Sequence, residues 1–347
     1  MEKKSRLYGF DLARIISLLM ILVYHLNGIL KDNPIHILGI GDGELGAVGV
    51  GLFILISGSM ITYTYSGNAW TFYAKRLKKI FIPFWVTYIF VLVCELLQGR
   101  FVFDLPLYKF LLTFVGMDGF FSYLTSTYYL VGEWFLGFII MIYVVYPIVH
   151  IIMNKFPLAL IFISFIVEIY MVNNYEWSIP FLWNPFVLAP FLLIGVYFIK
   201  RYINMNSWDT LFVGLALLIS SQLFQLPGVL MTVFFKTIGL YIILVILGEK
   251  LLLRCNDGIK KATVLMSELT FGVILIHHRI IFTLERILIE ENVELNKYIQ
   301  FIIVLVISFL FSYLLKLFVA NIGKPVEWIK RLLNNAVNKK KSAKIEQ

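Results

Sequence analysis

Charge is scarce in this 347-residue chain: Lys, Arg, Asp and Glu make up 15% of it, against 60% hydrophobic residues. A soluble domain carries nearer a quarter charged residues, and a disordered chain carries fewer apolar ones, so both classes are excluded. Cysteine is almost missing. Cys94 in an apolar run and Cys255 in a basic loop supply neither a disulfide framework nor metal-ligand spacing. There is no Walker loop, no Gly-rich dinucleotide fingerprint, no G-x-S-x-G elbow and no zinc spacing. A soluble transferase, a serine hydrolase and a metal site are therefore all unsupported, and no metal is expected. Internal repeats and low-complexity linkers are lacking too, so residues 1–347 read as one domain.

What the chain has instead is long apolar runs. Ten can be laid out at about 9–29, 45–65, 80–98, 130–151, 157–173, 184–200, 209–224, 229–248, 264–284 and 298–320. Their lengths suit bilayer spans, the fifth to seventh being short, and predict an all-α polytopic membrane bundle. The formal net charge of +9 points to membrane topology rather than nucleic acid once its placement is counted. With a cytoplasmic N-terminus, 21 of the 30 Lys and Arg fall on inside segments, five on outside loops and four within spans. Both termini are therefore expected in the cytoplasm of a bacterial-type plasma membrane. Residues 1–30 resemble a signal peptide superficially, but Arg14 interrupts the apolar region and no small-residue cleavage site follows, so a retained helix is expected. The outside stretch 99–129 is expected to fold back as a re-entrant or interfacial helix. The basic tail 321–347 is expected to be disordered near anionic headgroups.

Polar residues set into the spans are the candidates for chemistry, because an ionisable group there costs about 2.5–3.5 kcal/mol on insertion scales. The stretch Asp11–His25, DLARIISLLMILVYH, holds three of them. Arg14 and His25 are eleven residues apart, almost three whole helical turns. They share one face, separated by roughly 16 Å along the axis. Asp11 can hold the Arg14 guanidinium as an i,i+3 pair. The topology also collects Glu133, Glu168, Lys236, His277, His278 and Arg279 in the outer half, which implies one polar cavity opening outward. Glu168 and Lys236 fit structural ion pairs better than catalysis. For His25 the alternatives are a satisfied structural imidazole and a general base. For Arg14 they are a donor-phosphate contact and a helix lock.

The pattern D-x-x-R-x10-H in a first membrane helix resembles the signature of the acyltransferase 3 family. Three further regions extend the resemblance. FILISGSMIT (53–62) is similar to the family's F-x-x-S-G segment at Ser57 and Gly58, for which small-residue helix packing is the plain alternative. YAKRLKKIFIPFW (73–85) resembles R-x-x-R-I-x-P-P at Arg76, Ile80 and Pro83. It departs at Lys79, where Arg is usual, and at Ile82, where Pro is usual; Lys keeps the charge but loses bidentate phosphate geometry. EWFLGFIIMIYVVYPIV (133–149) resembles the W-F-L…Y-x-x-x-P helix, with Glu133 where His or Tyr often precedes the Trp. TFGVILIH (270–277) resembles the closing S-Y-G-x-Y-L-x-H segment. The resemblance implies transfer of an acyl group, most often acetyl, from cytoplasmic acyl-coenzyme A to a carbohydrate hydroxyl of the envelope or of exported polysaccharide. It implies His25 as base, Arg14, Arg76 and Lys79 on the donor, and Glu133, Trp134, His277 and Arg279 lining the cavity. A glycan transporter or flippase, or a non-catalytic membrane module, remains open at this point.

Overall fold

A computed structural model describes residues 5–30, 34–35, 42–202, 207–223 and 229–345. Lys31, counted above among the outside cations, lies outside the described residues. The chain runs as α1 (Tyr8–Asn27), α2 (Asp42–Thr64), α3 (Ala69–Leu97), α4 (Phe110–Phe114), α5 (Asp118–Phe121), α6 (Glu133–Lys155), α7 (Pro157–Asn173), α8 (Pro185–Tyr202), α9 (Ser207–Leu223), α10 (Val229–Arg254), α11 (Asp257–Glu290) and α12 (Lys297–Ile345). No strand occurs among the described residues.

Each of the ten apolar runs coincides with a helix. Eight are long and apolar enough to cross a membrane. The other two, α7 and α9, have 17 residues each, about 25 Å of helix against a hydrocarbon core of about 30 Å. The chain is a polytopic membrane bundle.

A helix that is apolar on all sides faces protein or lipid, and α1 and α2 face mainly protein. They bury 67% and 72% of their apolar windows, whereas α3 and α12 bury 28% and 22% and form the periphery. α1 packs on α2, α10 and α11, and α2 packs on α8. The α2–α8 crossing is close because glycines face backbone: a Cβ on Gly58 would stand 2.4 Å from the Leu192 carbonyl oxygen, and one on Gly195 would stand 2.2 Å from that of Leu55. Beside them Ser59 Oγ donates to the Gly195 carbonyl (2.7 Å). Gly58 of the S-G segment thus serves helix packing.

Two local expectations are corrected. The stretch 99–129 forms no single fold-back helix. Gly116, at φ +69°, separates the short α4 and α5, and aromatic stacking of Phe110 on Tyr128 (4.1 Å) and Trp85 on Phe114 (5.0 Å) holds the segment to its neighbours. The tail is not disordered from residue 321: α12 continues to Ile345, since no Pro or Gly after Pro325 interrupts a run rich in Lys, Leu and Ala.

Candidate functional site at the two ends of the first helix

Three helices deliver titratable groups to the C-terminal end of α1. His25 comes from α1, His277 and His278 from α11, and Glu133 is the first residue of α6. Glu133 Oε2 lies 3.2 Å from His25 Nε2, and Oε1 lies 2.8 Å from His277 Nε2 and 3.7 Å from His278 Nε2. His277 is fully buried, Glu133 is 9% exposed, and His25 and His278 are 20% and 26% exposed at their side chains. An approaching molecule therefore meets His25 and His278 first.

The backbone that places Glu133 is unusual. Gly132 has φ +93° and Glu133 itself has φ +47°, a left-handed conformation that costs a non-glycine residue free energy and is concentrated at functional sites. Neighbours hold it there. A Cβ on Gly119 would come 2.6 Å from the Glu133 carbonyl oxygen, so only glycine lets α5 close over this turn. Arg279 Nε donates to the Leu130 carbonyl (2.7 Å), and its Nη1 lies 3.7 Å from Glu95. Arg279 thus ties the lead-in segment to α11 rather than facing the imidazoles.

The ring of His277 is fixed as well. Its Nδ1 lies 3.1 Å from the carbonyl oxygens of both Val273 and Ile274. Carbonyls only accept, so Nδ1 carries the proton and Nε2 faces Glu133. With the proton on Nδ1, Nε2 has none to donate to Oε1 at 2.8 Å, and both buried atoms are left without a hydrogen bond. Behind the turn, outside the spanning helices, Asp118 accepts from the Gly119 amide (2.9 Å) with its other oxygen unpartnered. Burial pushes this carboxyl up to about 7.

At the other end of α1 the expected Asp11–Arg14 i,i+3 pair is present at 3.9 Å, with Asp11 shared with Arg6. Arg6 takes both Asp11 oxygens, at 2.7 and 2.8 Å, because a guanidinium fork matches a carboxylate two-pronged. Arg14 stands 3.9 Å from Asp11 and makes one hydrogen bond, to Ser267 Oγ (3.0 Å), which itself donates to Asp11 (2.6 Å). Most of the five Arg14 donors are left over. Arg76 lies near it, hydrogen-bonded to Thr64 Oγ1 (2.9 Å) and set over the rings of Phe72 and Tyr143 at 5.5 and 5.4 Å. Lys79 is exposed and within electrostatic reach of Arg14, Arg76 and Arg6. Among the described residues, neither Arg76 nor Lys79 forms an ion pair. Three cations expected on the donor do meet here.

The other candidates separate. Trp134 stacks on Trp183 (5.3 Å, 10° between planes). Lys236 is spent in an ion pair with Glu44 (2.5 Å), as a structural role requires, and Glu168 is buried on α7. Sequence reasoning placed His278 and Glu133 in the outer polar set without recognising Glu133 as the centre of three imidazoles. The adjacent pair His277–His278 was the available signal, since two polar rings side by side in a span require a shared partner.

Residues 7–317 match the model of a family described as an acyltransferase domain, the acyltransferase 3 family. No curated protein and no solved structure matches the chain.

Proposed function

Since the chain belongs to the acyltransferase 3 family, we propose that this membrane acyltransferase moves an acyl group, acetyl first among candidates, from cytoplasmic acyl-coenzyme A to a hydroxyl of envelope or exported carbohydrate. The observation that carries the reading is the contrast between the two ends of α1. One end offers Arg14, with spare donors, beside Arg76 and Lys79; the other offers His25 against the Glu133 carboxylate. Phosphates of the donor suit the first end. The roughly 16 Å between Arg14 and His25 is a length that an extended phosphopantetheine arm covers, so one donor can be held at the cations while its thioester reaches the imidazole. The Lys and Arg distribution supports a bacterial-type plasma membrane with both termini and the Arg14 end in the cytoplasm.

At the imidazole end, His25 takes the proton of the acceptor hydroxyl as its oxygen attacks the thioester carbonyl. The C–O bond forms, the C–S bond breaks, and the proton passes to the departing thiolate. Glu133 stabilises the imidazolium that exists in between and fixes the ring. His277, anchored by its backbone contacts, sets the opposite side of that carboxylate. The test uses purified protein in detergent with labelled acetyl-coenzyme A and candidate glycans. Label should appear on carbohydrate as an alkali-labile ester, and His25→Ala should abolish it. Glycan movement across vesicles without ester formation would overturn the reading in favour of a transporter.

A further inference from the structure

The cluster around Glu133 holds three imidazoles and one carboxylate, a donor set that suits zinc among the divalent ions and that calcium and magnesium, which take oxygen, do not match. One ligand atom from each of His25, Glu133, His277 and His278 lies within 4.8 Å of every other. Glu133 Oε1 lies 2.8 and 3.7 Å from the Nε2 atoms of His277 and His278, and Oε2 lies 3.2 Å from that of His25, on either side of the edge of about 3.3 Å expected for a tetrahedron with metal–ligand bonds of about 2.0–2.1 Å. His277 Nε2 and Glu133 Oε1 are both buried, lie 2.8 Å apart and make no hydrogen bond, so both lone pairs are left for a cation. His277 also has the outer contact that metal-bound imidazoles need, since its Nδ1 is engaged by the Val273 and Ile274 carbonyls and Nε2 is thereby the free nitrogen. Entry is open because His25 and His278 are partly exposed. Arg279, the nearest cationic neighbour in sequence, is turned to Leu130 and Glu95.

We propose that these four residues form a binding site for a divalent transition ion, zinc in the first place, and that occupancy silences acyl transfer by engaging the His25 nitrogen. Binding itself follows from the donor set; its consequence rests on the reading of His25 as base. The same carboxylate then serves two mutually exclusive states, one open to the acceptor and one closed by the ion.

The test uses the full chain in detergent, stripped by a chelator, and titrated with zinc against a chromophoric zinc indicator. A parallel titration with cobalt is read by its d–d absorption. The expected result is one ion per chain with the intense spectrum of four-coordinate cobalt. Zinc affinity should fall at least tenfold in Glu133→Gln and in His278→Gln, the latter on a partly exposed side chain where folding is least at risk, with thermal unfolding as the check. Zinc should stop acyl transfer, and chelator should restore it. Unchanged binding in both variants, or no stoichiometric binding at micromolar zinc, overturns the site. Zinc that raises turnover of the stripped protein overturns the silencing. Turnover by stripped protein that binds no zinc defeats this proposal alone, whereas zinc binding by a protein with no transferase activity defeats only the reading of His25 as a catalytic base.

Discussion

Glu133→Gln keeps the shape of the side chain and removes its charge, so it isolates what that charge does for His25. On the proposed mechanism His25 becomes an imidazolium in the transition state, with Nε2 3.2 Å from Glu133 Oε2. Two unit charges at that separation attract by about 1.3 kcal/mol in a water-like dielectric and about 5 kcal/mol at an effective dielectric of 20. At 1.36 kcal/mol per tenfold in rate, those limits correspond to roughly tenfold and roughly several thousandfold. The pair is 20% exposed on one side and 9% on the other, which places the expected loss in kcat between the limits, at roughly 10²–10³. The donor end of α1 is untouched, so donor KM should hold. Initial rates against both substrates, with thermal unfolding as a control for folding, give the answer. Turnover within about twofold of the native rate in a folded Glu133→Gln protein would refute the role assigned to the carboxylate. Glu133→Asp, which keeps the charge on a shorter arm, should fall between the two.

Arg14→Lys retains charge but loses the planar fork and should raise donor KM more than acceptor KM, whereas His25→Gln should lower kcat by roughly 10² or more with binding of a non-hydrolysable coenzyme A analogue preserved; the opposite pattern would reverse the polarity of the helix. Asp118, raised from 3.8 to about 7 by burial, contributes full stability below about pH 4, and that stability is lost as pH rises towards 7. Asp118→Asn keeps the acceptor for the Gly119 amide and should flatten that decline in thermal unfolding, so a variant whose stability relative to native falls between pH 4 and pH 8 would contradict the raised carboxyl. Cysteine introduced as Ser66→Cys, between α2 and α3, should react with impermeant reagents only from the cytoplasmic side, and labelling from outside intact cells would invert the topology.

The helices were legible because a bilayer imposes length and apolarity on each one separately, and ten runs in the sequence reappear as ten helices. The shared face of Arg14 and His25 was legible for the same local reason, being a property of one helix. Contacts between helices were not. Arg6 captures Asp11 because the chain just before α1 turns back on it, which helical periodicity does not describe. For Trp134 and Arg279 neither motif nor depth specifies a partner, and these are Trp183 and the Leu130 carbonyl. The left-handed turn at Gly132–Glu133 was hidden because a glycine before an apolar run normally reads as an ordinary helix start. It is this turn that carries Glu133 into the midst of three imidazoles.

The placement of α1 at the centre of the bundle also bears on how the protein is made. Arg14 finds its hydrogen-bond partner, Ser267, 253 residues later in the chain, so at about 5–20 residues per second the ribosome supplies that partner roughly 13–50 s after Arg14 itself. Throughout that interval the first helix to enter the bilayer carries a guanidinium whose exposure to lipid costs about 2.5–3.5 kcal/mol. Only Asp11, three residues away, and Arg6, which binds Asp11 five residues back, are already present. Asp11, shared with Arg6, is the one local counter-charge for Arg14 until α10 and α11 close around it, so the last third of the chain completes the environment of the first helix made.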